Sequence, residues 1–279
     1  MKKTLYVLIA VLLLAALFAG CGGQSKSDQP PAGVKETQQP AQSEASTAPE
    51  SADTADLPEL PAAGSGTVAK SYAAYSEAKS ALITRLTEGL SNNPDTGMAV
   101  FSFFGVTMVD VATLPVSFFG SGQQAAEIGL SMVGATNVKY TENGNSYTIS
   151  YSDDENNTYE FSGTYDPAAD ALTCTATANG KESIFMEYRK TAFGYAGQYY
   201  MLNDDGTTTT YVVATDGENG TVGFMSAAKK PAALTGSEAA DFPKACDEWY
   251  SIQGTTITGK TSDGKEFNFE YTPSESESN

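Results

Sequence analysis

Apolar residues recur at helical spacing between Thr67 and Leu90. They stand three, four and seven positions apart, which places side chains on one face of an α-helix. The turn-forming sequence Asn92-Asn93-Pro94 ends the pattern. We therefore predict an amphipathic helix whose apolar stripe packs against the rest of the domain, with binding of a partner as the alternative role. The stripe consists of Val68, Tyr72, Tyr75, Leu82, Leu86 and Leu90.

The next segment, Met98 to Phe119, is apolar around most of its circumference. Its 22 residues include five phenylalanines and a single charge, Asp110. Pro115 lacks the backbone N–H that a helix interior needs, so we predict a kink or a break there. A membrane-spanning helix is one interpretation, but Asp110 would cost about 2.5–3.5 kcal/mol at the bilayer centre. We favour an apolar helix, or a helical hairpin with Gln123 to Val133, lying across a sheet.

From Asn137 onward the period of the pattern changes to two, as in β-strands. Tyr147, Ile149 and Tyr151, for example, alternate with Ser and Thr residues. Short turn sequences rich in Asn, Asp and Gly separate such runs at regular intervals, which predicts hairpins. We expect eight to ten antiparallel strands in a meander.

One segment of this region, Ser237 to Tyr250, returns to helical spacing. We predict a short helix there, with an apolar face made of Ala239, Phe242, Cys246 and Trp249. The whole pattern predicts an α+β fold, in which N-terminal helices in residues 67–134 pack on a curved antiparallel β-meander in residues 137–271. One face of the sheet would be covered and the other solvated. Residues 67–271 would form a single domain.

Composition changes sharply on the N-terminal side of this domain. Residues 22–66 contain six of the twelve prolines and no aromatic residue, so they cannot bury enough apolar surface to offset chain entropy. We predict a disordered linker over residues 21–66 with a mean span of about 35–40 Å. Residues 272–279 are predicted to be a disordered polar tail.

The first residues combine Lys2 and Lys3 with an apolar run that ends at Gly20-Cys21. This layout predicts a secretory signal peptide over residues 1–20, since the run is shorter than the roughly 20 residues of a spanning helix. Here the chain resembles bacterial lipoproteins, in which a cysteine after small residues receives a thioether-linked diacylglycerol and becomes the mature N-terminus. Phe18 stands where that family usually has Leu or another aliphatic residue. The resemblance implies lipidation of Cys21 and attachment to the exported face of the cell membrane, periplasmic or extracellular.

Charge excludes one class of partner. The chain carries 16 Lys and Arg residues against 34 Asp and Glu residues, a net charge of −18 at pH 7. Removal of the predicted signal peptide takes two lysines away and leaves a net charge of −20. Such a surface repels nucleic acid and anionic headgroups. We therefore expect no nucleic-acid partner, and we expect acyl chains on Cys21 to supply the membrane affinity.

Most catalytic motifs are missing from the sequence. The chain has no histidine, which excludes Ser-His and Cys-His nucleophile systems and His-ligated zinc sites. Gly120 to Ala125 matches a loose dinucleotide fingerprint, but we interpret it as a joint between two helices. We predict a non-enzymatic protein without catalytic residues or cofactor. A hydrolase with a carboxylate pair, acting on cell-wall or matrix polymers, is an alternative because Asp and Glu suffice for that chemistry.

Two acidic turns could supply oxygen ligands to calcium, which takes six to eight of them. They are Asp153-Asp154-Glu155-Asn156 and Asn203-Asp204-Asp205-Gly206. In a meander both turns emerge at the same end of the sheet. We favour solvated turns over a calcium site, because acid-rich turns are common throughout this sequence.

Two cysteines, Cys174 and Cys246, remain in the predicted domain. A disulfide between them would close a long loop and would stabilise the fold by roughly 4 kcal/mol. Both also lie in phase with apolar neighbours, as buried free thiols do. The sequence leaves both alternatives open.

The favoured functional hypothesis is a membrane-tethered binding or structural module of the cell envelope. An aromatic-rich sheet under apolar helices could form an apolar groove for a lipid, a peptide or another envelope component. A protein-interaction module of the envelope, acting through the helix stripe or the sheet edges, is the alternative. The candidate groove residues are Phe101, Phe104, Phe118, Phe119 and Trp249.

Overall fold

The structure, a computed structural model, describes residues 67–94, 96–203, 206–226 and 230–272. The predicted signal peptide, Cys21, the predicted linker and residues 273–279 of the predicted tail lie outside the described residues. Within the described ranges, no helix has the length and the apolar character needed to cross a membrane.

The described residues form an α+β domain in which helices precede an antiparallel sheet of 11 strands. The α-helices are α1 Thr67–Ser91, α2 Val100–Ala112 and α3 Gln123–Ser131, with 3₁₀ helices at Gly97–Ala99, Leu114–Phe118 and Phe242–Ala245. The strands are β1 Thr136–Asn143, β2 Ser146–Ser152, β3 Thr158–Asp166, β4 Ala171–Ala178, β5 Lys181–Thr191, β6 Gly194–Leu202, β7 Thr208–Thr215, β8 Gly220–Met225, β9 Glu248–Gln253, β10 Thr256–Lys260 and β11 Glu266–Glu270.

The strands lie in the sheet in the order of the sequence, and each pairs with the next in antiparallel orientation. The predicted meander is therefore confirmed, with one strand more than the upper limit of the prediction. The register aligns apolar side chains into rows on the helix-facing side: Tyr188, Gly197, Val213, Val222 and Tyr250 form one such row across β5 to β9.

Helix α1 crosses this helix-facing side from β4 to β11. Near its start, Tyr75 lies over Gly197, where an added Cβ would come within 2.1 Å of the Tyr75 hydroxyl oxygen. Near its end, Gly89 lies against Ile257 and Tyr271. Most of the apolar stripe predicted for this helix is a packing face, as expected: Val68, Tyr75, Leu82, Leu86 and Leu90 are buried, and Tyr72 is partly buried.

The apolar segment after α1 divides where Pro115 predicted a break. Helix α2 ends at Ala112, and Pro115 lies in the first turn of the following 3₁₀ helix. Phe103 of α2 packs against Phe224 and Tyr250, with ring centroids 5.5 and 5.4 Å away. Helix α3 lies against the edge strand β1, where the Gln123 side chain bonds to the backbone of Val138 and Tyr140. The segment thus lies across the sheet as the favoured interpretation predicted.

The opposite side of the sheet is only partly solvated, which corrects the prediction that one face would be covered and the other solvated. Residues 230–247, which we call the strap, pass over this side of β5 to β8. The buried Glu187 carboxylate accepts hydrogen bonds from Gln198 Nε2 at 2.7 Å and from the Leu234 backbone N–H at 3.0 Å. Gln198 Nε2 also donates to the Ala232 carbonyl at 2.8 Å. The physical reason for the cover is that Phe185, Ala196, Val212 and Ala214 point to this side and are apolar.

The helix predicted for Ser237 to Tyr250 is mostly wrong. A single 3₁₀ turn forms at Phe242–Ala245, and Trp249 and Tyr250 belong to strand β9. Trp249 pairs with Gly223 and Lys260 in the ladder. Pairing with β8 and β10 satisfies the backbone of these residues on both sides, and this outweighs the local helical spacing.

Candidate functional site

A buried lysine lies at the centre of the interface between the helices and the sheet. Lys79 of α1 is 3% exposed, and its ammonium group forms a salt bridge with Asp110 of α2. Lys79 Nζ also donates to the hydroxyl oxygens of Tyr199 at 3.2 Å and Tyr211 at 3.4 Å. Tyr199 in turn donates to Tyr75 at 2.8 Å. We call these five residues, which connect both helices to β6 and β7, the lysine cluster.

In the lysine cluster, burial disfavours the charged form of Lys79, and the neighbouring groups favour it. Burial lowers the pKa of Lys79, whereas the neighbouring Asp110 carboxylate raises it, and the net shift is downward. The ammonium also lies 4.6 Å from the centroid of the Tyr199 ring, where the π-electrons attract a cation. Carboxylate, phenol oxygens and ring face together compensate for the lost hydration of the charge.

A second polar contact holds the start of α1 to the sheet. Ser71 Oγ bonds to the Tyr188 hydroxyl at 2.7 Å and donates to the Asp170 carboxylate. Tyr165 donates to the same Asp170 oxygen at 2.9 Å. The side chains of Tyr75 and Tyr188 stack beside it with centroids 4.5 Å apart. Helix α1 is thus fixed at two points by polar groups inside an aromatic interface.

The lysine cluster has the groups of a base or a nucleophile, but the Lys79 ammonium is buried. A lysine with a lowered pKa is a familiar catalytic group. Lys79 is not among the residues that line the two grooves described below. The arrangement therefore fits a structural connection between α1, α2 and the sheet.

Replacing Asp110 by Ala should lower the free energy of unfolding by about 3 kcal/mol, because it leaves a buried ammonium without its counter-ion. The figure is at the low end for breaking a buried pair since the Asp110 side chain is 41% exposed. Adding Lys79→Met to Asp110→Ala should restore about 2 kcal/mol, because no unpaired charge then remains. Chemical denaturation measures all three variants.

The matched control is Glu77→Ala, an exposed carboxylate on α1, which should change the free energy of unfolding by less than about 0.5 kcal/mol. If Asp110→Ala were as mild as this control, or if Lys79→Met failed to compensate for it, the lysine cluster would not stabilise the interface as described.

Helix α2 presents a second apolar face, which points away from the sheet. Phe101 is 70% exposed, Phe104 48% and Val111 45%, and Met108 between them is half-buried. These residues stand three and four positions apart, so they form one stripe along the helix, which we call the α2 stripe. Of the six large hydrophobic side chains that are exposed among the described residues, five lie between Phe101 and Val133 in the helical layer.

The five residues predicted to line a groove do not come together. Phe119 is fully buried and stacks on Tyr147 with ring centroids 5.5 Å apart. Phe118 packs against Gly129 of α3. Trp249 lies on the strap side of the sheet, where Lys244 Nζ is 5.0 Å from its ring. Phe101 and Phe104 alone share a surface, the α2 stripe.

Two of the grooves on the described part of the domain lie beside α1 and beside the strap. One, of about 340 Å³, runs along the solvent side of α1 and is lined by Tyr72, Ser76, Ser117 and neighbouring small residues. The other, of about 150 Å³, lies at one end of the strap and contains Asp216 and Asp241. Burial raises the pKa of Asp216, but hydrogen bonds from Asn219 and Glu218 outweigh it and lower the pKa below its ordinary value. An ionised Asp216 does not fit the proton donor of a carboxylate-pair hydrolase.

The acidic turns proposed for calcium are only partly described. Asp153 Oδ1 accepts the backbone N–H groups of Glu155 at 3.0 Å and Asn157 at 2.8 Å, and Oδ2 accepts from the Asn157 side chain at 2.8 Å. This carboxylate therefore closes its own turn. Asp204 and Asp205 lie outside the described residues. In the part of the chain that the structure describes, no three Asp, Glu or Cys side chains are grouped to hold a metal ion.

The two cysteines are free and buried, so the structure corresponds to the second of the two alternatives. Cys174 of β4 points to the helix-facing side, in register with Gly163 and Met186. Cys246 belongs to the strap, and its Sγ lies against Gly223 on the other side of the sheet. Burial raises the pKa of Cys174 to about 12 and that of Cys246 to about 11. Both thiols are therefore protonated and unreactive at neutral pH.

Sequence reasoning missed the lysine cluster, although a signal was present. Lys79 stands four positions after Tyr75 and three before Leu82, on the buried face of α1, and Asp110 is the single charge of its segment. Two charges on apolar faces in neighbouring helices indicate a buried pair. Comparison of the chain with known proteins finds no matching family model, no similar curated protein and no similar solved structure.

Proposed function

We propose that the protein is an exported lipoprotein, attached to the cell membrane through acyl chains on Cys21, and that its domain is a non-enzymatic binding module of the cell envelope. The attachment rests on the sequence before Cys21, with its signal-peptide layout and small residue at position 20. The binding role rests on one observation, the α2 stripe.

The α2 stripe supports a binding role because α2 does not need these apolar side chains for its own packing on the sheet. The other face of the same helix is buried, with Phe103, Val106 and Val109 at most 3% exposed. A helix that is apolar on both sides places one apolar face in water at a cost of about 25 cal/mol per Å². Contiguous exposed apolar surface of this kind marks sites of contact with proteins or membranes.

Cell fractionation tests the attachment. The wild-type protein should sediment with membranes and enter the detergent phase, whereas Cys21→Ala should prevent lipidation and move the mature domain out of the membrane fraction. Gly22→Ala, one position further, is the matched control and should leave the protein in the membranes. Equal distribution of the two variants would contradict the proposal.

A further inference from the structure

We propose that the α2 stripe inserts into the headgroup region of the same bilayer that holds Cys21, so that the helical layer of the domain faces the membrane. The inference rests on the proposed lipid anchor. It adds the partner of the exposed surface, a lipid bilayer, and the orientation of the domain on it.

The position of the first described residue of the domain supports this orientation. The described chain begins at Thr67, the first residue of α1, and therefore in the helical layer. Between Cys21 and Thr67 stand 45 residues, which reach about 160 Å at most. A lipidated Cys21 thus keeps the domain beside the bilayer and converts docking of the stripe into an intramolecular event at high effective concentration.

The distribution of charge also favours the helical layer as the membrane face. From Thr96 to Ala126 the only charged residue is Asp110, and its carboxylate is paired with Lys79. The region from Thr136 to Thr272 carries 20 acidic residues against nine Lys and Arg residues, a net charge of −11. Carboxylates are repelled by anionic headgroups. Bringing α2 to the bilayer therefore costs less electrostatic free energy than bringing the sheet to it.

The size of the stripe favours a bilayer over a second copy of the chain. Four partly exposed side chains offer roughly 400 Å², whereas a stable protein interface buries about 800 Å² on each partner. Insertion of a few apolar side chains to a depth of about 5–10 Å is sufficient for interfacial helices. A protein that is already tethered needs only such a modest additional affinity.

The composition of α2 predicts which lipids matter. Interfacial helices commonly carry Lys and Arg on the polar face and then require anionic lipid. Helix α2 contains no basic residue, so its insertion should depend on apolar contact alone. We therefore expect phosphatidylglycerol not to strengthen it: insertion into vesicles of phosphatidylcholine should be at least as strong as insertion into vesicles that also contain a minority of phosphatidylglycerol.

Tryptophan quenching in the lipidated full-length mature protein tests the inference. In a Trp249→Phe background, Phe101→Trp places a single tryptophan in the α2 stripe. After reconstitution into vesicles with brominated acyl chains, its emission should shift to the blue and be strongly quenched. The native Trp249, on the strap side, is the matched control and should not be quenched.

A second variant removes insertion without removing the anchor. Phe104→Glu, in the same single-tryptophan protein, adds a charge to an exposed position and should abolish quenching of Trp at position 101 while the protein stays on the vesicles. An unquenched stripe on a vesicle-bound protein would overturn the docking inference and leave the anchor intact. Association of the lipid-free domain into dimers that bury the stripe would also overturn it. Failure of the anchor itself is detected separately, by loss of lipid from Cys21.

Discussion

Raising the pH above 10 should unfold the domain in one cooperative step, because burial raises the pKa of its core tyrosines. Five tyrosines are at most 1% exposed: Tyr75, Tyr188, Tyr199, Tyr211 and Tyr250. Burial is the largest cause of the increase at each of them, and hydroxyl and carboxylate neighbours add to or reduce it. In the unfolded chain these phenols ionise near their ordinary value of 10.0.

The sign of the effect follows from the raised pKa values. The folded protein keeps each phenol protonated, so the stabilisation is complete below pH 10 and is lost as the pH rises above it. Each buried tyrosine then costs about 1.4 kcal/mol of stability per pH unit. The lowered pKa of Lys79 makes stability rise with pH instead, but this is the effect of one lysine against that of five tyrosines.

Phenolate absorbance and circular dichroism, recorded together from pH 9 to pH 12, measure this transition. The account predicts that phenolate absorbance rises in a single steep step together with the loss of β-sheet signal. Gradual ionisation centred on pH 10 with the sheet signal retained would mean that these tyrosines are solvated.

Phe119→Ala should lower the free energy of unfolding by about 3–5 kcal/mol, the usual cost of truncating a buried phenylalanine. The Phe119 ring is 0% exposed, stacks on Tyr147 and fills the space above Gly163 of β3. Because β3 is paired with β2 and β4 on its two sides, the cavity cannot collapse easily. Urea denaturation at neutral pH gives the value.

Phe101→Ala is the matched control, since it makes the same chemical change at a position that is 70% exposed. It should alter stability by less than about 0.5 kcal/mol. Both residues were candidates for the same groove in the sequence analysis. A similar loss for both variants would contradict the division of these phenylalanines between the core and the α2 stripe.

Local pattern was sufficient to predict the N-terminal helices and the antiparallel meander. The spacing of Tyr75, Leu82 and Leu86 predicted α1, and Pro115 predicted the end of the apolar helix. Alternation around Tyr147 and Ile149 predicted the meander. Each of these features depends on residues close together in the sequence, where side-chain period and backbone restriction act directly.

Contacts between distant segments could not be predicted in this way. Helical spacing in Ser237 to Tyr250 suggested a helix, but Trp249 pairs with Gly223 in the sheet. The strap, the lysine cluster and the separation of Phe101 from Phe119 depend on which elements pack together. Tertiary packing decides such cases, because the free energy gained by burying a side chain is larger than the local preference of the segment for helix or strand.

The most direct test of the proposed function is the mass of the N-terminal peptide of the mature protein, purified from membranes of a cell that lipidates exported proteins. The account predicts that this peptide begins at Cys21 and carries a thioether-linked diacylglycerol. A mature protein that begins elsewhere, or that begins at Cys21 with a free thiol, would contradict it.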